Sequence, residues 1–153
     1  MPHVLKIERQ KRMVNNDLSI LCISCDKNLV IFNNFANFFN INWRDCEYEK
    51  YVLLEQNINN SISGFKIINQ TGDFSYRLIK ALENIHTPYV LLLLDDFFIE
   101  NPVESKCVNE FLETMIRDKT IANIGFSNFN KEIFKSDSGD LLFLREKEKL
   151  KHY

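Results

Sequence analysis

Glycine is scarce in this chain: four residues in 153, at positions 64, 72, 125 and 139. A dinucleotide-binding turn or a P-loop needs glycines just after its first strand, so that backbone N–H groups can approach phosphate closely. Neither cradle can be assembled here. An excess of one charge is also missing. Nineteen basic and 21 acidic residues leave a formal net charge of −2, which offers a nucleic-acid backbone nothing to follow. Long apolar runs are absent as well, since the longest, residues 89–94, falls far short of the ~18–20 residues of a membrane span. The opening segment MPHVLKIERQKRMVNND lacks the apolar core of an export signal. Cysteine is limited to Cys22, Cys25, Cys46 and Cys107, so reduced thiols and a cytoplasmic location are expected. Contact with the inner membrane face is left open. Cys22 and Cys25 have metal-site spacing, but LSILCISC reads as a strand and no second pair exists, so buried structural cysteine is the better reading.

What the chain does contain is 45% hydrophobic and 26% charged residues, enough for one domain with a sizeable core. Short apolar runs begin at Leu18, Tyr51, Phe65, Tyr89 and Ile121, and these are the expected strands. LSILCI and YVLLLL are apolar on both alternating faces, as strands buried between helical layers must be. Helical periodicity fills the gaps. Residues 28–40 align Leu29, Phe32, Phe35, Ala36 and Phe39, with Asp26 or Asn28 as cap. Residues 73–85 align Phe74, Leu78, Ala81, Leu82 and Ile85. Residues 102–117 follow Asn101 as cap, with Pro102 in the first turn and Glu104 three residues past the cap. The alternation predicts an α/β domain with a mostly parallel sheet flanked by helices. The domain is expected over residues 18–144, after an extension at 1–17 and before a charged tail at 145–153, REKEKLKHY.

In such sheets ligands meet the carboxyl ends of the strands. That rule selects Cys25 and Asp26, Glu55 and Gln56, Asn69 and Gln70, and Asp95 and Asp96, a mostly polar or acidic set. Without a glycine cradle, a diphosphate must be held through a divalent cation on carboxylates. Mg²⁺ and Mn²⁺ prefer oxygen and often take only one or two protein carboxylates, leaving the other positions to water and phosphate. Asp95 and Asp96 suit that role. If the strand geometry persists through both residues they point to opposite faces, so one binds metal and the other does something else. The same pair serves equally well to cap the element that follows, and the residues alone leave both readings open.

The stretch FSYRLIKALENIHTPYVLLLLDDFFI, residues 74–99, resembles the metal-binding segment of bacterial GT-A fold glycosyltransferases of surface-polysaccharide biosynthesis. The match rests on Arg77, Leu78, Ala81 and Leu82, then Thr87, Pro88, Tyr89, Asp95 and Asp96, with LSILCISCDKN and YVLLEQ as the first two strands. The resemblance implies transfer of a sugar from a nucleoside diphosphate sugar, with UDP-sugars favoured, to a glycan or lipid-linked acceptor. It implies Mn²⁺ or Mg²⁺ on Asp96, Asp95 on the ribose side, Cys25 and Asp26 beside the nucleoside, and Glu55 near the base. Arg77 falls near the same pocket, where a salt bridge from the helix surface explains it equally well. Leu94 stands where many relatives carry a third acid, so the ligand set is lean. The catalytic base is unassigned, and Asp137 and Asp140 are available by position only.

Relatives of that family continue past the equivalent of Tyr153 into acceptor-binding elements. A GT-A-like sheet incomplete at its C-terminus and weak or absent activity for these residues alone are therefore expected. The alternative is a noncatalytic α/β remnant, or a nucleotide-binding module lacking the acceptor half. A nucleotidyltransferase uses similar acids but needs a Gly-rich basic loop after the first strand, which SCDKN is not. A receiver domain needs its acid pair after the first strand instead of the fourth.

Overall fold

The computed structural model describes residues 17–56 and 61–125, and the backbone of residues 143–146. Strands β1 (Leu18–Ile23), β2 (Glu49–Leu54), β3 (Ser61–Ile62), β4 (Phe65–Asn69), β5 (Tyr89–Leu94), β6 (Asn123–Gly125) and β7 (Phe143–Glu146) form one sheet in the order β3-β4-β2-β1-β5-β7-β6. Its centre is parallel: β1 pairs in parallel with β2 and β5, and β2 with β4. Antiparallel pairs occupy the flanks, β3 on β4 at one edge and β7 between β5 and β6 at the other. The fold is therefore α/β with a mostly parallel sheet flanked by helices. β7 carries Arg145 and Glu146, so the strand runs two residues into the charged segment expected to be a tail.

Helices α1 (Leu29–Asn42) and α3 (Ser105–Arg117) pack with one face of the sheet, and α2 (Phe74–Asn84) with the other. Strand alternation makes this division. Leu18, Ile20 and Cys22 of β1 join the α1/α3 core, while Leu21 joins Ala81, Leu82 and Ile85 on the α2 side. In α1 the period places Phe32, Phe35, Ala36 and Phe39 inward. Phe65 of β4 meets Phe32, Phe35 and Phe39 edge-on, with ring centroids 5.3–6.2 Å apart, a geometry that favours aromatic pairs beyond their buried area.

Two local features differ from expectation. Helix α3 begins at Ser105, because the Val103 N–H donates to the Asn42 carbonyl at 2.8 Å and holds the preceding residues against the end of α1. Asn101 therefore caps nothing. The first turn is instead held by Asp45, whose carboxylate accepts from the Ser105 N–H at 3.1 Å, and by Trp43, whose indole N–H donates to Ser105 Oγ at 2.9 Å. In α2 the cap is Asp73, accepting from the Tyr76 N–H at 2.9 Å. Phe74 is exposed, and in that first turn Arg77 takes the inward position. β3 and its two-residue turn at Ser63 and Gly64 were not legible as a strand pair. Both turn residues have positive φ, 50° and 85°, the hairpin conformation that glycine favours.

Candidate active site

The chain leaves β1 towards β2 and β4 on one side, then crosses back to β5 on the other. The carboxyl ends of β1 and β5 thus form the switch point where open α/β sheets bind ligands. Ser24 follows β1 there, and Asp95 follows β5. Ser24 Oγ donates to Asp95 Oδ2 at 2.5 Å, and both residues are buried. Burial pushes the Asp95 carboxyl above its ordinary value, and the neighbouring Asp96 charge adds to the effect, while the Ser24 hydrogen bond opposes it.

Asp96, one residue on, is exposed. The two acids do face differently, though not because a strand continues through them. The pair does not continue the extended strand; it lies in a turn closed by the Phe97 N–H donating to the Leu94 carbonyl at 3.3 Å. One acid turns into the protein against Ser24 and the other into solvent.

A second cluster lies beside the first. Asp26 sits in a single 3-10 turn, Asp26–Asn28, directly after Cys25. Its two carboxylate oxygens accept from the backbone N–H groups of Glu55, at 3.0 Å, and Gln56, at 2.9 Å. The Asp26 N–H in turn donates to Glu55 Oε2 at 3.4 Å. Arg77, buried, reaches up from α2 and donates three ways: Nε to the Gln70 carbonyl at 3.0 Å, Nη2 to the Ser24 carbonyl at 3.1 Å, and Nη1 to Glu55 Oε1 at 3.3 Å. The Gln70 N–H donates to the Leu54 carbonyl at 2.9 Å. One guanidinium thereby ties together the ends of β1, β2 and β4.

The structure thus gathers Asp26, Glu55 and Arg77 into one hydrogen-bonded unit, beside Asp95 through Ser24. Cys25 lies half-buried at the start of the 3-10 turn. Arg77 does pair with Glu55, but from a buried position at the strand ends and not from the helix surface. Asp137 and Asp140 lie outside the described residues. Ser24 is the site residue that the sequence does not single out. Its only signal is a hydroxyl placed first after a mostly apolar strand. Behind the acids, burial, with the charges of Asp95 and Asp96 added, pushes the Cys22 thiol well up and keeps it a protonated core group.

Among the described residues no three His, Cys, Asp or Glu side chains are grouped to hold a metal ion. A cation here would take one carboxylate, Asp96, and draw its remaining oxygen ligands from water and from a bound ligand, the usual pattern for Mg²⁺ with phosphate esters.

No protein-family model matches the sequence, and neither does any curated protein. Solved structures do match. A cytidylyltransferase from Leptospira borgpetersenii aligns with 89% of this chain and 63% of its own, at 12% identity and a TM-score of 0.56. CMP:2-keto-3-deoxy-manno-octonic acid synthetase, in a complex with CTP, aligns with 90% of this chain and 77% of its own, at 11% identity and a TM-score of 0.55. The bifunctional IspDF of Campylobacter jejuni aligns with 89% of this chain and 42% of its own, at 12% identity and a TM-score of 0.50. The chain spans less than two thirds of the length of the first and the third of these enzymes. At these identities the likeness is one of fold: this chain has the α/β fold found in nucleotidyltransferases.

Proposed function

We propose that the chain binds a nucleoside diphosphate sugar through Mn²⁺ or Mg²⁺ and serves in transfer of the sugar to a glycan or lipid-linked acceptor. The observation that carries this reading is the unequal acid pair at the switch point. Asp95 is buried and held by Ser24, whereas Asp96 is exposed on a tight turn, free to share a cation with a diphosphate. A cation so placed would neutralise charge as it builds on the leaving diphosphate, which is electrostatic catalysis supplied by the ion. Asp95, Cys25 and the Asp26–Glu55 unit line the nucleoside side in this reading. The fold is shared with cytidylyltransferases, but the loop after β1 favours glycosyl over nucleotidyl transfer. Residues 26–28 make a tight 3-10 turn with no glycine, and Asp26 is committed to the backbone of residues 55 and 56, so no phosphate cradle forms there. Four free cysteines agree with a reducing compartment. Among the described residues no helix is long and apolar enough to cross a membrane.

Calorimetric titration of UDP and UDP-sugars, with and without Mn²⁺, tests the proposal on the intact chain and on Asp96→Asn. Metal-dependent binding weakened at least about tenfold by the substitution is expected, because one carboxylate carries the protein's share of the coordination. Metal-dependent binding that survives Asp96→Asn removes the ligand assignment. Absence of nucleotide binding in the wild type assigns the chain to the noncatalytic α/β class instead.

A further inference from the structure

Helix α1 differs from its two companions in what it shows to solvent. The outward positions of α2 carry Lys80 and Glu83, and those of α3 carry Lys106, Glu110 and Glu113, as surface helices usually do. α1, LVIFNNFANFFNIN, has no charged residue in fourteen. At 100° per residue, Val30, Ile31, Asn34, Phe38 and Ile41 share one arc of its outward face, while Asn33, Asn37 and Asn40 run along the other side. Phe98 extends the apolar arc, its ring centroid 5.3 Å from that of Phe38, and Phe97 precedes it.

Val30, Ile31, Phe38, Ile41 and Phe98 are between 37% and 75% exposed. Large apolar side chains present about 150–200 Å² each, so five that are about half exposed leave roughly 400–500 Å² of apolar surface on one side of the molecule. That is near the upper end of what monomers tolerate, and it approaches the apolar part of a standard-size, non-obligate contact, roughly 57% of ~800 Å² per partner.

We infer that this face is the contact between two copies of the chain, related by a two-fold axis. Symmetry favours this occupant over others. A two-fold contact sets a surface against itself, so a face bearing charge of one sign would repel its own copy, and among the described residues the α1 face bears none. Asparagine amides both donate and accept, so an Asn border is complementary to itself. An anionic membrane would instead call for a basic border. Here Lys27 and Arg44 at the two ends of α1 are accompanied by Asp45 and Glu100, leaving no positive excess. With the helices antiparallel across the axis, Val30 and Ile31 of one copy meet Phe38 and Ile41 of the other, and Asn34 lies close to the axis.

Sedimentation equilibrium of the full chain decides the matter, and it does so independently of any nucleotide binding. A reversible dimer with a dissociation constant in the micromolar range or below is expected, as interfaces of this size provide. Phe38→Glu and, separately, Ile41→Glu should each weaken it at least about 100-fold, because each places two uncompensated carboxylates in one contact. Both positions are exposed in the monomer, so an unchanged circular dichroism spectrum serves as the folding control. In a Cys25→Ser, Cys107→Ser background, Asn34→Cys should give a dimer covalently linked under mild oxidation and separated by reductant. A wild-type chain that stays monomeric at about 100 µM, or a dimer indifferent to both glutamate substitutions, overturns the inference.

Discussion

Replacing Arg77 by methionine should cost far more than a surface charge substitution, and the cost can be worked from its three partners. Methionine keeps an apolar stem in the buried slot but donates nothing. The carbonyls of Ser24 and Gln70 each lose a charge-assisted hydrogen bond, at 3.1 and 3.0 Å, worth about 1.5–3 kcal/mol apiece. The bond to Glu55 adds less, about 1 kcal/mol or below, because the Glu55 side chain is 38% exposed and water can replace the guanidinium. Together these give about 3–7 kcal/mol, a large fraction of the ~5–15 kcal/mol that holds a domain folded. Lysine keeps the charge but loses the planar fork, so Arg77→Lys should lose about half as much. Urea unfolding followed by fluorescence provides the assay. Trp43 is buried against Phe39 and Tyr48 and reports on global unfolding. A loss below about 1 kcal/mol for Arg77→Met would refute the argument that this side chain ties three strand ends together. If the variant were instead stable but blind to nucleotide, Arg77 would be a ligand and not a tie.

Two more predictions concern the interior. Because burial raises the Asp95 carboxyl, the native state holds its proton more tightly than the unfolded chain. This group's contribution to stability is therefore greatest in acid and is lost as pH rises through its elevated native value. Asp95→Asn keeps an acceptor for Ser24 and removes the charge, so it should match or exceed the wild type in urea resistance at neutral pH and flatten the pH dependence in mild acid; a marked loss at neutral pH would count against it. Phe65→Ala opens a cavity among Phe32, Phe35 and Phe39 and should cost about 3–5 kcal/mol in thermal or urea unfolding, whereas Phe65→Leu should cost less than half of that.

Most of the central sheet could be read from residues. LSILCI, YVLL, FKII and YVLLLL all lie in strands, and the stripes of α1 and most of α2 face the core, because burial between helical layers leaves a periodic mark on the chain. The carboxyl-end rule likewise brought Asp26, Glu55, Asp95 and Asp96 to one edge of the sheet. What escaped is what depends on partners distant in sequence. Two-residue β3 is too short to carry periodicity, and β7 finds its place between β5 and β6 only through pairing. Asn101 looks like a helix cap, yet the backbone of Asn42 holds the segment after it extended until Ser105.

The sequence by itself determined the fold class, the absence of a glycine phosphate cradle, and the set of acids at the strand ends, since composition and alternation are local properties of the chain. Only the tertiary structure decided which of two adjacent aspartates is buried. Nothing local distinguishes Asp95 from Asp96. A turn after β5 and the hydroxyl of Ser24, 71 residues away in sequence, place the first within the protein and leave the second to solvent.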